Sequence, residues 1–195
     1  MSPSQAADTD TWSPAGLPLD DHNGHTATLL PSGKVLVVGG AGGDAVLRTA
    51  ELYDPRSDTW SLVASPESRR VDHTAALLPS GQVLVVGGPD LQVAELYDPA
   101  ADSWSRAATP RPRMGHTATL LSSGKVLVVG GFAPDGLSTP EMRADLYDPG
   151  TNLWEVLRDL DAPRLYHQAV LLPTGQVLVA GGSSGVTTAA ALYTP

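Results

Sequence analysis

Four short segments place polar, reactive side chains at matching distances ahead of a recurring histidine. Three residues before it stand His22, Arg70, Arg113 and Arg164, and one residue before it stand Gly24, Asp72, Gly115 and Tyr166. Guanidiniums so repeated suit one of two tasks. They form a partly basic rim that attracts a carboxylate or phosphate, or they bridge neighbouring units by donating to backbone carbonyls. His22 departs from that series and lies in the most polar of the four segments, Asp20-Asp21-His22-Asn23-Gly24. There Asp21 is placed to orient the imidazole for acid–base chemistry, although a histidine in an exposed turn has the same local sequence. Asp72 and Tyr166 are groups that handle a proton or meet a ligand hydroxyl, and Asp72 has the alternative of pairing with an adjacent arginine. Phe132, the single phenylalanine, offers an apolar wall or a packing contact.

Other site chemistries find little support. His25, His73, His116 and His167 recur with the same neighbours, but nothing in their spacing makes strand-start residues converge, so no metal site is expected. The chain has no phosphate-binding Gly-x-x-x-x-Gly-Lys loop and no His-Glu-x-x-His, and its Gly-Gly pairs, Gly181-Gly182 of Gly181-Gly182-Ser183-Ser184-Gly185 included, end strands without opening the helix that a Gly-x-Ser-x-Gly elbow needs. No cofactor is expected.

These residues sit in an internal repeat. The segment from His25 to Gly40 recurs from His73, His116 and His167, at intervals of 48, 43 and 51 residues. A second block follows each time: Ala50 to Pro55 with Trp60, Ala94 to Pro99 with Trp104, and Ala144 to Pro149 with Trp154. Each unit reads as four short antiparallel strands. The first ends at a turn containing glycine, the second is β-branched and apolar on both faces, the third precedes an Asp-Pro turn and the fourth carries the tryptophan. The fourth copy stops at Pro195 before its tryptophan, and Asp8-Thr9-Asp10-Thr11-Trp12 matches the missing piece. The pattern predicts an all-β, four-bladed β-propeller over residues 8–195, with the last blade completed by the N-terminal strand and residues 1–7 a short flexible segment.

The pattern His-Thr-Ala-Thr-Leu-Leu, Gly-x-Val-Leu-Val-Val-Gly-Gly, Ala-Glu-Leu-Tyr-Asp-Pro and Trp resembles the kelch repeat in its bacterial form. The resemblance implies a β-propeller and leaves function open, since kelch propellers include enzymes, sugar-processing proteins and interaction modules. It also implies that arginine three residues before the strand is a common structural feature. Rings of six or seven blades are more usual for this repeat than four. The lack of cysteine excludes the cysteine-linked tyrosyl copper site of the galactose-oxidase branch.

Loop lengths orient the ring. The distance from the first-strand histidine to the glycine pair is 14 residues in every copy, whereas the second glycine and the tyrosine are separated by 13, 9, 16 and 11. The variable connections, Ala41–Leu47, Pro89–Gln92, Phe132–Met142 and Ser183–Thr188, fall on the same face as the segments before each histidine, and variable loops on a rigid frame are the usual place for recognition. The formal charge of −9 argues against a nucleic-acid partner. No apolar run is long enough to span a bilayer, no secretory signal is visible at the start, and a cytoplasmic location is expected. The expected function is binding of a small molecule, or of a glycan or peptide end, at the axial mouth. Arg70, Arg113, Arg164 and Phe132 are the candidate contacts, suited to an anionic ligand. The alternative is a cofactor-free acid–base enzyme, an isomerase, lyase or cyclase, using His22 with Asp21, Asp72 and Tyr166. A third reading is a scaffold whose protein partner docks on the Phe132–Met142 loop.

Overall fold

The computed structural model describes residues 10–90, 94–133, 139–183 and 190–195. Among these residues the chain is all β, with no helix, and so none long and apolar enough to cross a membrane. Each repeat makes one antiparallel sheet with strands side by side in chain order. Sheet 1 comprises Thr26–Leu29, Val35–Val38, Ala50–Asp54 and Thr59–Leu62. Sheet 2 comprises Thr74–Leu77, Val83–Val86, Ala94–Asp98 and Ser103–Ala107. Sheet 3 comprises Thr117–Leu120, Val126–Val129, Ala144–Asp148 and Leu153–Val156. Sheet 4 has three strands, Gln168–Leu171, Val177–Ala180 and Ala190–Tyr193. A small hairpin, Ala41–Gly42 with Ala45–Val46, forms a separate two-stranded ladder in the first variable connection.

Side-chain alternation along the strands explains the stacking. Second-strand residues are apolar on both faces because each inner sheet is covered twice. Leu36, Val38 and Ala50 of sheet 1 meet Val83, Val85 and Tyr97 of sheet 2, while Leu84, Val86 and Ala94 of sheet 2 meet Val126, Val128 and Tyr147 of sheet 3. Leu127, Val129 and Leu146 then meet Val177 and Val179 of sheet 4. First strands lie next to first strands, in the order sheet 1, 2, 3, 4, so these strands line a common axis.

Each outer strand grips the chain that leads into its own sheet. Trp60, Trp104 and Trp154 donate their indole N–H to the carbonyls of Gly16, Ala64 and Ala108 at 2.7, 2.6 and 2.6 Å. The N–H groups of those three residues donate to the side chains of Asp58, Asp102 and Asn152, which also accept from the hydroxyls of Tyr53, Tyr97 and Tyr147.

The structure corrects the expected closure. Sheet 4 does not pack on sheet 1 as the other sheets pack on one another, and residues 10–12 do not form its fourth strand. The N-terminal segment lies along sheet 1 instead, through Gly16, and Trp12 is fully exposed. The sequence match of Trp12 to the tryptophan series holds, but matching a position does not dictate which sheet it joins. Residues 1–7, read as a flexible segment, lie outside the described residues.

Candidate functional site

An open belt of main-chain hydrogen bonds runs around the axis from sheet 1 to sheet 4. Asp72 N–H donates to Gly24 O at 3.1 Å, Gly115 N–H to Asp72 O at 3.1 Å, and Tyr166 N–H to Gly115 O at 2.8 Å. All four residues hold positive φ: 73° at Gly24, 53° at Asp72, 62° at Gly115 and 52° at Tyr166. Glycine is the ordinary choice for that conformation, so Asp72 and Tyr166 keep side chains there at a conformational cost. Just outside the belt, Thr26, Thr74 and Thr117 hydroxyls bond the Nε2 atoms of His73, His116 and His167 at 2.9, 2.8 and 2.9 Å, each across one seam.

Inside this belt lies a cavity of about 590 Å³ lined by the starts of all four first strands. The Tyr166 hydroxyl donates to Asp72 Oδ2 at 3.4 Å, joining sheets 4 and 2 across the mouth. Phe132 packs its ring 6.1 Å from that of Tyr166, and both crowd the position where a side chain on Gly115 would sit. The structure therefore brings together three of the sequence candidates: Asp72, Tyr166 and Phe132. Partial burial, then the Asp72 carboxylate, raises the Tyr166 pKa above its ordinary value, which keeps the phenol a donor at neutral pH. Burial, reinforced by the neighbouring arginines, lowers the histidines. His73 falls to about 3 and His167 to about 4, and His116 moves in the same direction, so the rings are neutral at physiological pH.

The arginines face the other way, and the basic rim is corrected. Arg70, Arg113 and Arg164 are buried inside their sheets. Arg70 donates to Gly87 O and to Glu95, both at 2.5 Å, Arg113 donates to Asp145 and lies 3.5 Å from Gly130 O, and Arg164 donates to Gly181 O at 2.9 Å. Their main chains lie against the preceding sheet: Gly40 N–H donates to Arg70 O, and Gly131 N–H to Arg164 O. A Cβ on Gly39, Gly87 or Gly130 would meet the carbonyl of Arg70, Arg113 or Arg164 at 2.3–2.5 Å, which accounts for the first glycine of each of these pairs. Neither arginine nor lysine lines the axial cavity.

His22 fills the arginine slot of sheet 1. Its Nδ1 lies 2.5 Å from Gly39 O and its Nε2 3.0 Å from Glu51 Oε1, the same two acceptor positions that Arg70 and Arg113 take. Its carboxylate partner is thus Glu51, not Asp21, which is exposed. Neither His22 nor Asp21 lines the cavity that holds Asp72 and Tyr166, so the four proposed acid–base residues do not form one site. The acidic partners Glu51, Glu95 and Asp145 were legible as the charged residue inside each third strand, the other, Asp54, Asp98 or Asp148, standing at its end. Among the described residues, no three histidine, aspartate or glutamate side chains gather as metal ligands. The Phe132–Met142 loop, expected to receive a protein partner, falls partly outside the described residues at 134–138, as do 91–92 and 184–188 of two other variable loops.

Three four-stranded antiparallel sheets and one three-stranded sheet, stacked with their first strands around one axis, define a propeller-type architecture. A family model for the Kelch motif matches residues 25–67, the first of the four copies. Residues 25–67 therefore carry the Kelch motif, and the three later copies repeat its residue pattern. No curated protein matches the chain.

Proposed function

We propose that the chain is a binding module whose axial mouth, on the face of the variable loops, holds a small hydroxyl-bearing molecule such as the end of a glycan. The observation that carries this reading is the pair Asp72 and Tyr166, two side chains kept at positive φ where the repeat otherwise has glycine, meeting over the cavity. Backbone strain held at a cavity mouth is a mark of function when the surrounding frame alone does not require the side chain. Asp72 offers a carboxylate that accepts from ligand hydroxyls, and Tyr166 offers a phenol and a ring face for a pyranose, the ring being held by its tilted contact with Phe132 behind it. With the guanidiniums turned into the sheets, the site suits a neutral or cationic ligand better than an anion.

The test is calorimetry and thermal shift with a panel of monosaccharides and short oligosaccharides against the parent, Asp72→Asn and Phe132→Ala. A binder in the parent whose affinity falls at least about tenfold in each variant supports the site, consistent with losing one charged hydrogen bond or one stacking contact. A panel with no binder, or a binder indifferent to both substitutions, overturns it.

A further inference from the structure

The two ends of the sheet row are complementary halves of one seam. On sheet 1, the face pointing away from sheet 2 carries Ala27, Leu29, Val35, Val37, Tyr53 and Trp60, the repeat positions that sheet 2 turns toward sheet 1. On sheet 4, the outer face carries Val170, Leu172, Leu178, Ala180, Ala190 and Leu192, the repeat positions that sheet 2 turns toward sheet 3. Inside the row these positions are closed over; at the ends Leu29 is 64 %, Val170 54 % and Leu192 57 % exposed.

Every recurring seam contact also stops at these ends with its two partners separated. The main-chain belt begins at Gly24 and ends at Tyr166. The hydroxyl–histidine series begins at His25 and ends at Gln168, which occupies the threonine position. Gly39, Gly87 and Gly130 each meet the carbonyl of the next sheet, whereas Gly181 faces open space among the described residues. Tyr53, Tyr97 and Tyr147 each pack a tryptophan at 5.0–5.1 Å, and Tyr193 has no such ring beside it among the described residues. Where that indole would sit there is a cavity of about 270 Å³ bounded by Val129, Arg158, Ala191, Leu192 and Tyr193. The side chain that fits the series, Trp12, stands in solvent.

From these observations we infer that two copies of this chain close on each other. The segment Asp10-Thr11-Trp12 of each copy forms the fourth strand of sheet 4 of the other, and sheet 1 of each covers sheet 4 of the other. Trp12 then donates its indole N–H to the Arg158 carbonyl, the residue equivalent to Gly16, Ala64 and Ala108. Asp10 accepts from the Arg158 N–H and the Tyr193 hydroxyl. The two seams are identical, so a half-turn about the axis closes the assembly and leaves no uncovered face between sheets.

Mass measurement by light scattering and native mass spectrometry tests the pairing, with the parent expected at twice 20.2 kDa. Trp12→Ala and Leu192→Asp alter residues exposed in the single chain, so each is expected at 20.2 kDa with an unchanged circular dichroism spectrum. In sheet 1 Asp54 pairs with Thr59, so the same register pairs Thr194 with Thr11, and the chain has no cysteine of its own. Thr11→Cys/Thr194→Cys is therefore expected to give a covalent dimer under oxidation. A parent at 20.2 kDa, a ladder of higher oligomers, a dimer that both substitutions leave intact, or a disulfide formed within one chain would each overturn the inference.

Discussion

Arg70 and Asp72 are two residues apart, as are Arg164 and Tyr166, yet the members of each pair end in different regions of the molecule. The arginines enter the sheets and take part in the framework of the seam; Asp72 and Tyr166 turn onto the axis and meet over the cavity. The seam is repetitive and buried, and the hydrogen bonds of its side chains go to the protein itself. The mouth is irregular, open and carries strain. A side chain's chemistry therefore says less about its task than the face it takes, and guanidiniums that look like ligand anchors in the sequence have their hydrogen bonds directed at the protein itself.

The largest break in this contrast comes from the seam. Arg70→Ala strands Glu95, itself almost wholly buried, without its guanidinium, and is expected to cost about 3–5 kcal/mol in urea unfolding. Arg70→Met/Glu95→Leu removes both charges and is expected to recover most of that loss, because the desolvation cost disappears along with the attraction. A loss below about 1 kcal/mol for Arg70→Ala would mean that the arginine is not a framework group.

The hydroxyl–histidine series lies between the two regions and gives a pH signature. Folded-state pKa values below the unfolded value mean that the native state favours neutral rings, so their full contribution is present above about pH 6.5. As pH falls the unfolded chain binds protons that the folded chain refuses, and stability drops by up to about 1.4 kcal/mol per pH unit for each histidine. Between pH 6.5 and 5, before carboxylates contribute strongly, the urea midpoint is expected to fall steadily. His73→Gln should reduce that slope by about a third. A midpoint flat across this window would mean that the three rings are not held neutral.

The sequence made the sheets, their strand order and the seam positions legible, because alternation and glycine placement are local and were repeated four times. It also singled out Asp72 and Tyr166, which stand where other copies have glycine. What it did not settle was orientation at one-residue resolution. His22 looked like a departure with its own chemistry, but it holds the Gly39 carbonyl and Glu51 as an arginine does; the acid that explains it lies 29 residues away in the third strand. Closure was misjudged for a related reason. Trp12 carries the right neighbours for a fourth strand, and a repeat motif names the socket type without naming which copy of the socket is filled.

The smallest expected effect sharpens the contrast most. Asp72→Gly restores the repeat's usual residue at a φ of 53°, removing strain of about 1 kcal/mol while giving the unfolded chain a comparable amount of extra entropy. Stability should therefore stay within about 1 kcal/mol of the parent. Tyr166→Gly also loses the ring contact with Phe132, worth about 0.5–1.5 kcal/mol, and should come out slightly less stable than Asp72→Gly. Both substitutions spare the main-chain belt, since only N–H and C=O groups form it. If Asp72→Gly instead destabilised by more than about 2 kcal/mol, the carboxylate would be a structural member of the mouth like the arginines behind it, and the division between framework and site would move inward. A near-neutral result combined with lost binding leaves only the ligand to account for a side chain at that position.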